Sequence, residues 1–305
     1  MSSPFFSVAR VHGFHIRTSV QARTFVSGTI PEAVRPLAYD LHKPAKSQSC
    51  AKQPPIIFLH GLFGSKKNNR GISKLLARDL GVDVYALDLR NHGESPHDPR
   101  HDYQAMAEDV SAFIQDQNLN SATLIGHSMG AKTAMALALR SPEVISSIIA
   151  VDNAPVDMAL NDDFTKYIEA MKEIQDANVT RSNEADKILQ NYEKSLPIRQ
   201  FLLGNLYAPA EGDARKFRIP LDTLGKSLHK LGDFPFKRPQ DYRFEKPSLF
   251  VRGTKSNYIA DDAIPAIGEF FPCFRLVDVD AGHWLISENP EAFRQAVTNF
   301  LQGDT

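Results

Sequence analysis

The sequence predicts an α/β protein: a mostly parallel, doubly wound sheet with an inserted helical lid. Short apolar runs without polar alternation recur along the chain, the pattern of strands buried on both faces. Stretches of helical length lie between them, which is the rhythm of βαβ units. The rhythm is lost over residues 156–240 and then resumes, as an insertion between two strands of one sheet would require.

From Pro36 onward the strands read, in order, as Ile56–Leu59, Val82–Leu87, Ala122–Ile125, Ser147–Val151, Ser248–Val251 and the apolar run Phe274–Val279. Each is four to six residues of Val, Ile, Leu, Phe and Ala with few charges, as expected of central strands. Helical periodicity places helices over Gly71–Leu80, Tyr103–Gln117, Met129–Arg140 and Ala292–Leu301. Ligand sites of such sheets gather at the C-terminal ends of the strands. Residues 156–240 are charge-rich and helical in pattern, clearest over Ala159–Ala177 and Asn183–Leu196, and show no strand rhythm. The core is therefore expected over 31–155 and 241–305, with the lid over 156–240.

The first thirty residues differ. Arg10, Arg17 and Arg23 are the only formal charges before Glu32, set among Ser, Thr and scattered Phe and Val. A cationic, acid-free start of this kind is expected to be a mitochondrial transit segment spanning 1–30, with a plain disordered tail on a cytoplasmic protein as the alternative, whereas a secretory signal needs a continuous apolar core of roughly 7–15 residues.

The remaining composition narrows the function. The 305 residues carry 35 basic and 36 acidic side chains, a net charge of −1, without the basic footprint of a non-specific nucleic-acid binder. No apolar run approaches the ~20 residues of a membrane-spanning helix. Cys50 and Cys273 stand far apart with no CxxC or Cys/His cluster, so no disulfide framework or structural zinc site is expected.

Gly126-His127-Ser128-Met129-Gly130 follows the predicted strand Ala122–Ile125 and opens the small-residue helix. Strand, tight turn and helix around GxSxG form the context of a nucleophile elbow, with Ser128 as candidate nucleophile. His60-Gly61-Leu62-Phe63-Gly64 makes a second glycine-containing turn after Ile56–Leu59. The backbone N–H groups of Leu62 and Met129 are the candidates for an oxyanion hole, where each donor typically contributes about 3–4 kcal/mol to the barrier.

A serine hydroxyl needs a base, and His283 is the candidate among ten histidines because its loop follows Phe274–Val279 and should reach the same rim. The orienting acid is less obvious. The loop after Ser248–Val251 reads Arg252-Gly253-Thr254-Lys255-Ser256-Asn257-Tyr258 and has no carboxylate, whereas Asp152 ends the neighbouring strand Ser147–Val151. Asp152 is therefore the candidate acid, with Asp261, Asp262, Asp278 and Asp280 as weaker substitutes, and the order Ser128, Asp152, His283 keeps the acid between serine and histidine.

Over essentially the whole chain from Pro36, these motifs resemble the α/β-hydrolase superfamily. HGLFGS at His60–Ser65, DLRNHGES at Asp88–Ser95, GHSMG at Gly126–Gly130, VDNAP at Val151–Pro155 and VRGTKSNY at Val251–Tyr258 are similar to one subgroup. It holds mitochondrial abhydrolase-domain-eleven proteins, bacterial small-ester and acyl-CoA esterases, and fungal ethanol acetyltransferases. The resemblance implies an α/β-hydrolase fold with the acid after the family's sixth strand, carried here by Asp152, and eukaryotic members are commonly mitochondrial. It implies a serine hydrolase acting on a small-molecule ester or acyl-CoA without cofactor or metal, with alcohol acyltransfer through the same triad as the alternative. A non-catalytic interaction protein retaining the fold is the reading from a different class. In the lid, Arg199, Arg215, Lys216, Arg218, Lys226, Lys230, Lys237 and Arg238 form either a CoA-phosphate patch or, more blandly, a solvated helical face.

Overall fold

The computed structural model describes residues 34–44, 53–160 and 162–303; the expected transit segment lies outside them. In chain order the elements are β1 (Tyr39–His42), β2 (Ile56–Leu59), α1 (Arg70–Leu80), β3 (Val84–Leu87), α2 (Tyr103–Asp116), β4 (Ala122–His127), α3 (Met129–Arg140) and β5 (Ile145–Val151). There follow α4 (Asp163–Asp176), α5 (Ser182–Leu189), α6 (Leu196–Leu203), β6 (Leu206–Tyr207), β7 (Lys216–Phe217) and α7 (Leu221–Gly232). The chain then closes through β8 (Ser248–Gly253), α8 (Ile264–Phe270), β9 (Phe274–Val279), α9 (Leu285–Glu288) and α10 (Pro290–Gln302).

Seven strands form one sheet in the order β1-β3-β2-β4-β5-β8-β9. Every pairing is parallel except that of β1 with β3. The residues of β2, β3 and β4 are buried throughout, so these strands read as unbroken apolar runs rather than alternating ones. Apolar side chains from α1, α9 and α10 pack on one face of the sheet, with Ile72, Leu76, Leu285, Phe293 and Val297 at the contact. On the other face lie α2 and α3, and the cluster they form continues into the insertion through Phe164, Tyr167 and Leu224. Helix α3 is buried from Met129 to Leu139. Its alanines at 131, 134, 136 and 138 let its backbone lie close to the sheet, because a methyl group adds little radius.

The expected strands and core helices are present, with Val82–Leu87 shortened to Val84–Leu87. Three features differ from the expectation. An antiparallel edge strand, β1, precedes the predicted ones, half exposed over Tyr-Asp-Leu-His. The stretch 156–240 does contain strands, the two-residue pair β6 and β7, antiparallel through Leu206 with Phe217 and Tyr207 with Lys216; a two-residue strand is too short for any period to show. The expected helix Asn183–Leu196 ends at Leu189, and a new helix begins at Leu196 with Pro197 in its first turn. Proline lacks the N–H that an upstream helix would need there but fits a first turn.

Candidate active site

Ser128 occupies the turn between β4 and α3 at φ 54°, ψ −113°, a backbone conformation that costs a non-glycine residue about 1–3 kcal/mol. Its neighbours leave the chain no choice. A Cβ on Gly126 would lie 2.1 Å from Gly130 O, and one on Gly130 would lie 2.4 Å from Leu59 O. The GxSxG spacing is thus dictated by backbones that touch where side chains would be.

His283 follows β9 and Asp152 follows β5, so all three residues meet at the C-terminal rim of the sheet. His283 Nε2 lies 3.0 Å from Ser128 Oγ, and His283 Nδ1 lies 2.7 Å from Asp152 Oδ2. Asp152 is fully buried and, like the serine, held at positive φ (50°). Its Oδ1 accepts from Gly253 N at 3.1 Å, and its Oδ2 also accepts from Ser256 Oγ at 2.5 Å. An ionised carboxylate only accepts. Nδ1 therefore carries the ring proton, leaving the Nε2 lone pair for the serine hydroxyl.

The imidazole is also packed against aromatic rings. Tyr258 stacks on it with centroids 4.0 Å apart and rings 21° from parallel, and His127 lies tilted against it at 5.0 Å. His127 Nε2 donates to His283 O at 2.7 Å. Burial, reinforced by the neighbouring His283, pulls the His127 pKa down to about 4, so this second ring is neutral near pH 7. Neither Ser256 nor Tyr258 was singled out by sequence; both belong to the acid-free loop after β8, whose contribution is a hydroxyl and a ring.

The turn after β2 lies over the serine, since a Cβ on Gly61 would stand 3.4 Å from Ser128 Cβ. Two buried histidines hold this turn. His60 Nε2 accepts from Leu89 N at 3.0 Å, so its Nδ1–H donates to Gly61 O at 2.8 Å. His92 Nε2 accepts from Phe63 N at 3.1 Å, and its Nδ1–H donates to Arg90 O at 3.0 Å. Burial lowers the pKa of both rings. Leu62 N has no hydrogen-bond partner among the described residues. Met129, the first residue of α3, has an N–H for which the helix offers no acceptor.

Three of the four weaker carboxylate candidates are engaged elsewhere: Arg252 binds Asp261 and Asp278, and Lys255 binds Asp280. Much of the basic patch is engaged as well. Arg199 is buried and donates to Asp186 Oδ1 at 2.8 Å, Arg218 lies over the Tyr207 ring, and Lys237 and Arg238 pair with Asp157 and Asp241. These contacts favour the solvated-face reading for Arg218, Lys237 and Arg238, whereas Arg199 is packed inside the insertion.

A serine on a strained strand-to-helix turn, met by a histidine and a buried aspartate at the C-terminal rim of a doubly wound sheet, defines the class of α/β hydrolases. A family model described as the alpha/beta hydrolase fold matches residues 54–290, and the chain belongs to that family. It is 38% identical to the sn-1-specific diacylglycerol lipase ABHD11 of Mus musculus, over 87% of this chain and 85% of the relative. It is 32% identical to Ethanol acetyltransferase 1 of Cyberlindnera fabianii, over 87% and 86% of the two chains. Among solved structures, a marine microorganism esterase superposes with a TM-score of 0.80 at 34% identity, covering 87% of this chain and 99% of its own.

Proposed function

We propose that the protein is a serine hydrolase that cleaves carboxylic esters or thioesters of small acyl groups through an acyl-serine intermediate, with Ser128, His283 and Asp152 as its triad. The observation that carries this reading is the continuous path Ser128 Oγ to His283 Nε2 at 3.0 Å and His283 Nδ1 to Asp152 Oδ2 at 2.7 Å. In the acylation step, Nε2 takes the hydroxyl proton as Oγ attacks the acyl carbon. The carbonyl oxygen becomes an oxyanion, received by the N–H groups of Leu62 and Met129. The tetrahedral adduct then collapses, its bond to the alcohol or thiol breaks, and the proton on Nε2 passes to that leaving group. In the second half, His283 deprotonates water, the hydroxide displaces Oγ from the acyl carbon, and the proton returns to the serine. Asp152 accepts from Nδ1 throughout and favours the imidazolium that forms transiently.

An alcohol in place of water turns the second half into ester synthesis with the same atoms balanced. The similarity to a relative named as an ethanol acetyltransferase supports this as the second reading. Purified protein given short acyl esters, or acetyl-CoA with and without ethanol, separates the two. Acid release alone supports hydrolysis, whereas ethyl ester accumulating faster than acid makes the protein a transferase. Labelling by a fluorophosphonate that is abolished in Ser128→Ala is the expected result for either. A folded protein that resists the probe and turns over no ester would be a binding protein on this scaffold.

The cationic, acid-free start further supports a mitochondrial destination. Residues 1–30 fused to a fluorescent protein are expected to carry it into mitochondria, and a diffuse signal rejects the proposal.

A further inference from the structure

The turn that carries Leu62 N is held closed against strain. Gly64 N donates to Gly61 O at 2.9 Å, and Phe63, the third residue of this turn, stands at φ 62°. A bulky side chain rarely adopts that left-handed region, and such a conformation persists only where its surroundings impose it. The aim of Leu62 N–H depends on the turn. Its peptide is trans, so the N–H points opposite to Gly61 O, which His60 Nδ1 and Gly64 N hold from the other side. Relaxation of Phe63 to negative φ would swing Gly64 N away from Gly61 O and leave the Leu62 peptide with one anchor instead of two.

The backbone of Phe63 is gripped at both of its polar atoms. His92, in the core, accepts its N–H at 3.1 Å. Its carbonyl is taken by the insertion: Asn205, between α6 and β6, donates from Nδ2 to Phe63 O at 2.8 Å. The same Nδ2 lies 3.3 Å from Leu202 O, and only the amide nitrogen can serve two carbonyls, which fixes the orientation of the side chain. Asn205 is buried, and its backbone is tied at both ends, N donating to Leu202 O at 3.1 Å and O accepting from Arg218 N at 2.9 Å. The insertion also meets the Phe63 ring, which is buried with the Phe164 ring of α4 at 6.0 Å between centroids.

We propose that Asn205 is a positioning residue for the oxyanion hole: through Phe63 O it holds Phe63 at positive φ, keeps the turn closed and so aims Leu62 N–H at the oxygen of the reacting carbonyl. The inference rests on the esterase reading and gives the insertion a part in the chemical step. With Asn205 seated, the donor is in place before charge develops, which is where such a donor is most effective. An insertion that draws Asn205 away releases Phe63 and loosens the hole.

The test measures turnover of a short acyl ester and inhibition by an alkyl trifluoromethyl ketone on the full chain. The ketone reports the hole directly: Ser128 Oγ adds to its carbonyl carbon, the hydroxyl proton passes to His283 Nε2, and the carbonyl oxygen becomes an oxyanion in a stable adduct. Deleting an oxyanion donor outright costs about 10²–10³ in kcat, so a donor displaced in Asn205→Leu is expected to cost about 10- to 100-fold in kcat with KM held. Affinity for the ketone should fall by the same factor. Thermal midpoints verify folding, and if Asn205→Leu does not fold, Asn205→Ser, whose hydroxyl is too short to reach Phe63 O, gives the same comparison. Wild-type kcat in a folded variant, or a loss of kcat without a matching loss of ketone affinity, overturns the positioning role while the esterase reading stands. If wild-type protein turns over no ester and resists a fluorophosphonate, the esterase reading itself fails.

Discussion

At the residue scale, the site depends on each polar atom having defined partners and one role. Asp152 is the clearest case, because its two oxygens accept from Gly253 N, Ser256 Oγ and His283 Nδ1. An amide at this position can present its N–H₂ to the imidazole and so force the wrong tautomer. Asp152→Asn is expected to lower kcat by about 10⁴-fold with little change in KM. Near-normal turnover in that variant would reject Asp152 as the acid. That His283 has an aspartate partner was legible in the sequence, since the loop after β8 lacks a carboxylate and Asp152 ends the adjacent strand. The stacking of Tyr258 and the hydroxyl of Ser256 were not legible. Their approach depends on how the chain turns after Gly253, and a turn of that length leaves no periodic trace.

At the scale of elements, the insertion is tied to the core through α3. Lys132 is almost fully buried in that helix, and its Nζ donates to the carbonyls of Gly232 and Asp233 at 3.1 Å each, where α7 ends. A cation at a helix C-terminus meets the negative end of the helix dipole. Tyr103 adds a second tie, donating through its hydroxyl to Leu231 O at 2.7 Å. Burial brings the Lys132 pKa down to about 8, so the ammonium is the main form near pH 7 even without a contacting carboxylate. Lys132→Met keeps the apolar stem and removes both bonds. Limited proteolysis within 156–240 is expected to quicken several-fold, by more than any change in global stability accounts for. Equal cleavage rates in variant and wild type would show that Lys132 does not hold the insertion. The tie was hidden from the sequence because a lone lysine in a small-residue helix reads as a surface group. The break of the expected helix before Pro197 had a visible signal, the proline itself.

For the whole molecule, the buried histidines set the response to acid. Burial lowers His60 and His92, takes His101 to about 3 with help from Arg90, and takes His127 to about 4. Each remains neutral in the folded chain at pH values where the unfolded chain takes up a proton. Between the ordinary histidine pKa of about 6.5 and about 4, the unfolded state therefore binds more protons, and stability falls as pH falls. A plot of thermal midpoint against pH is expected to decline through that window, and His127→Gln should make the decline shallower. A flat profile from pH 6.5 to 4 would show that these rings are not held neutral.

The sequence by itself determined the parallel strands of the sheet, because central strands and covering helices are specified by short-range apolar patterns, and it determined the turn at Ser128, because glycine spacing records backbone contact. It also narrowed the partners of Ser128 to a histidine and a few carboxylates by strand-end position. Only the tertiary structure decided which carboxylate meets His283, which histidines hold the turn at Gly61 and where the insertion is fastened. Those facts are distances between residues far apart in the chain, and proximity of that kind exists only once the core has packed.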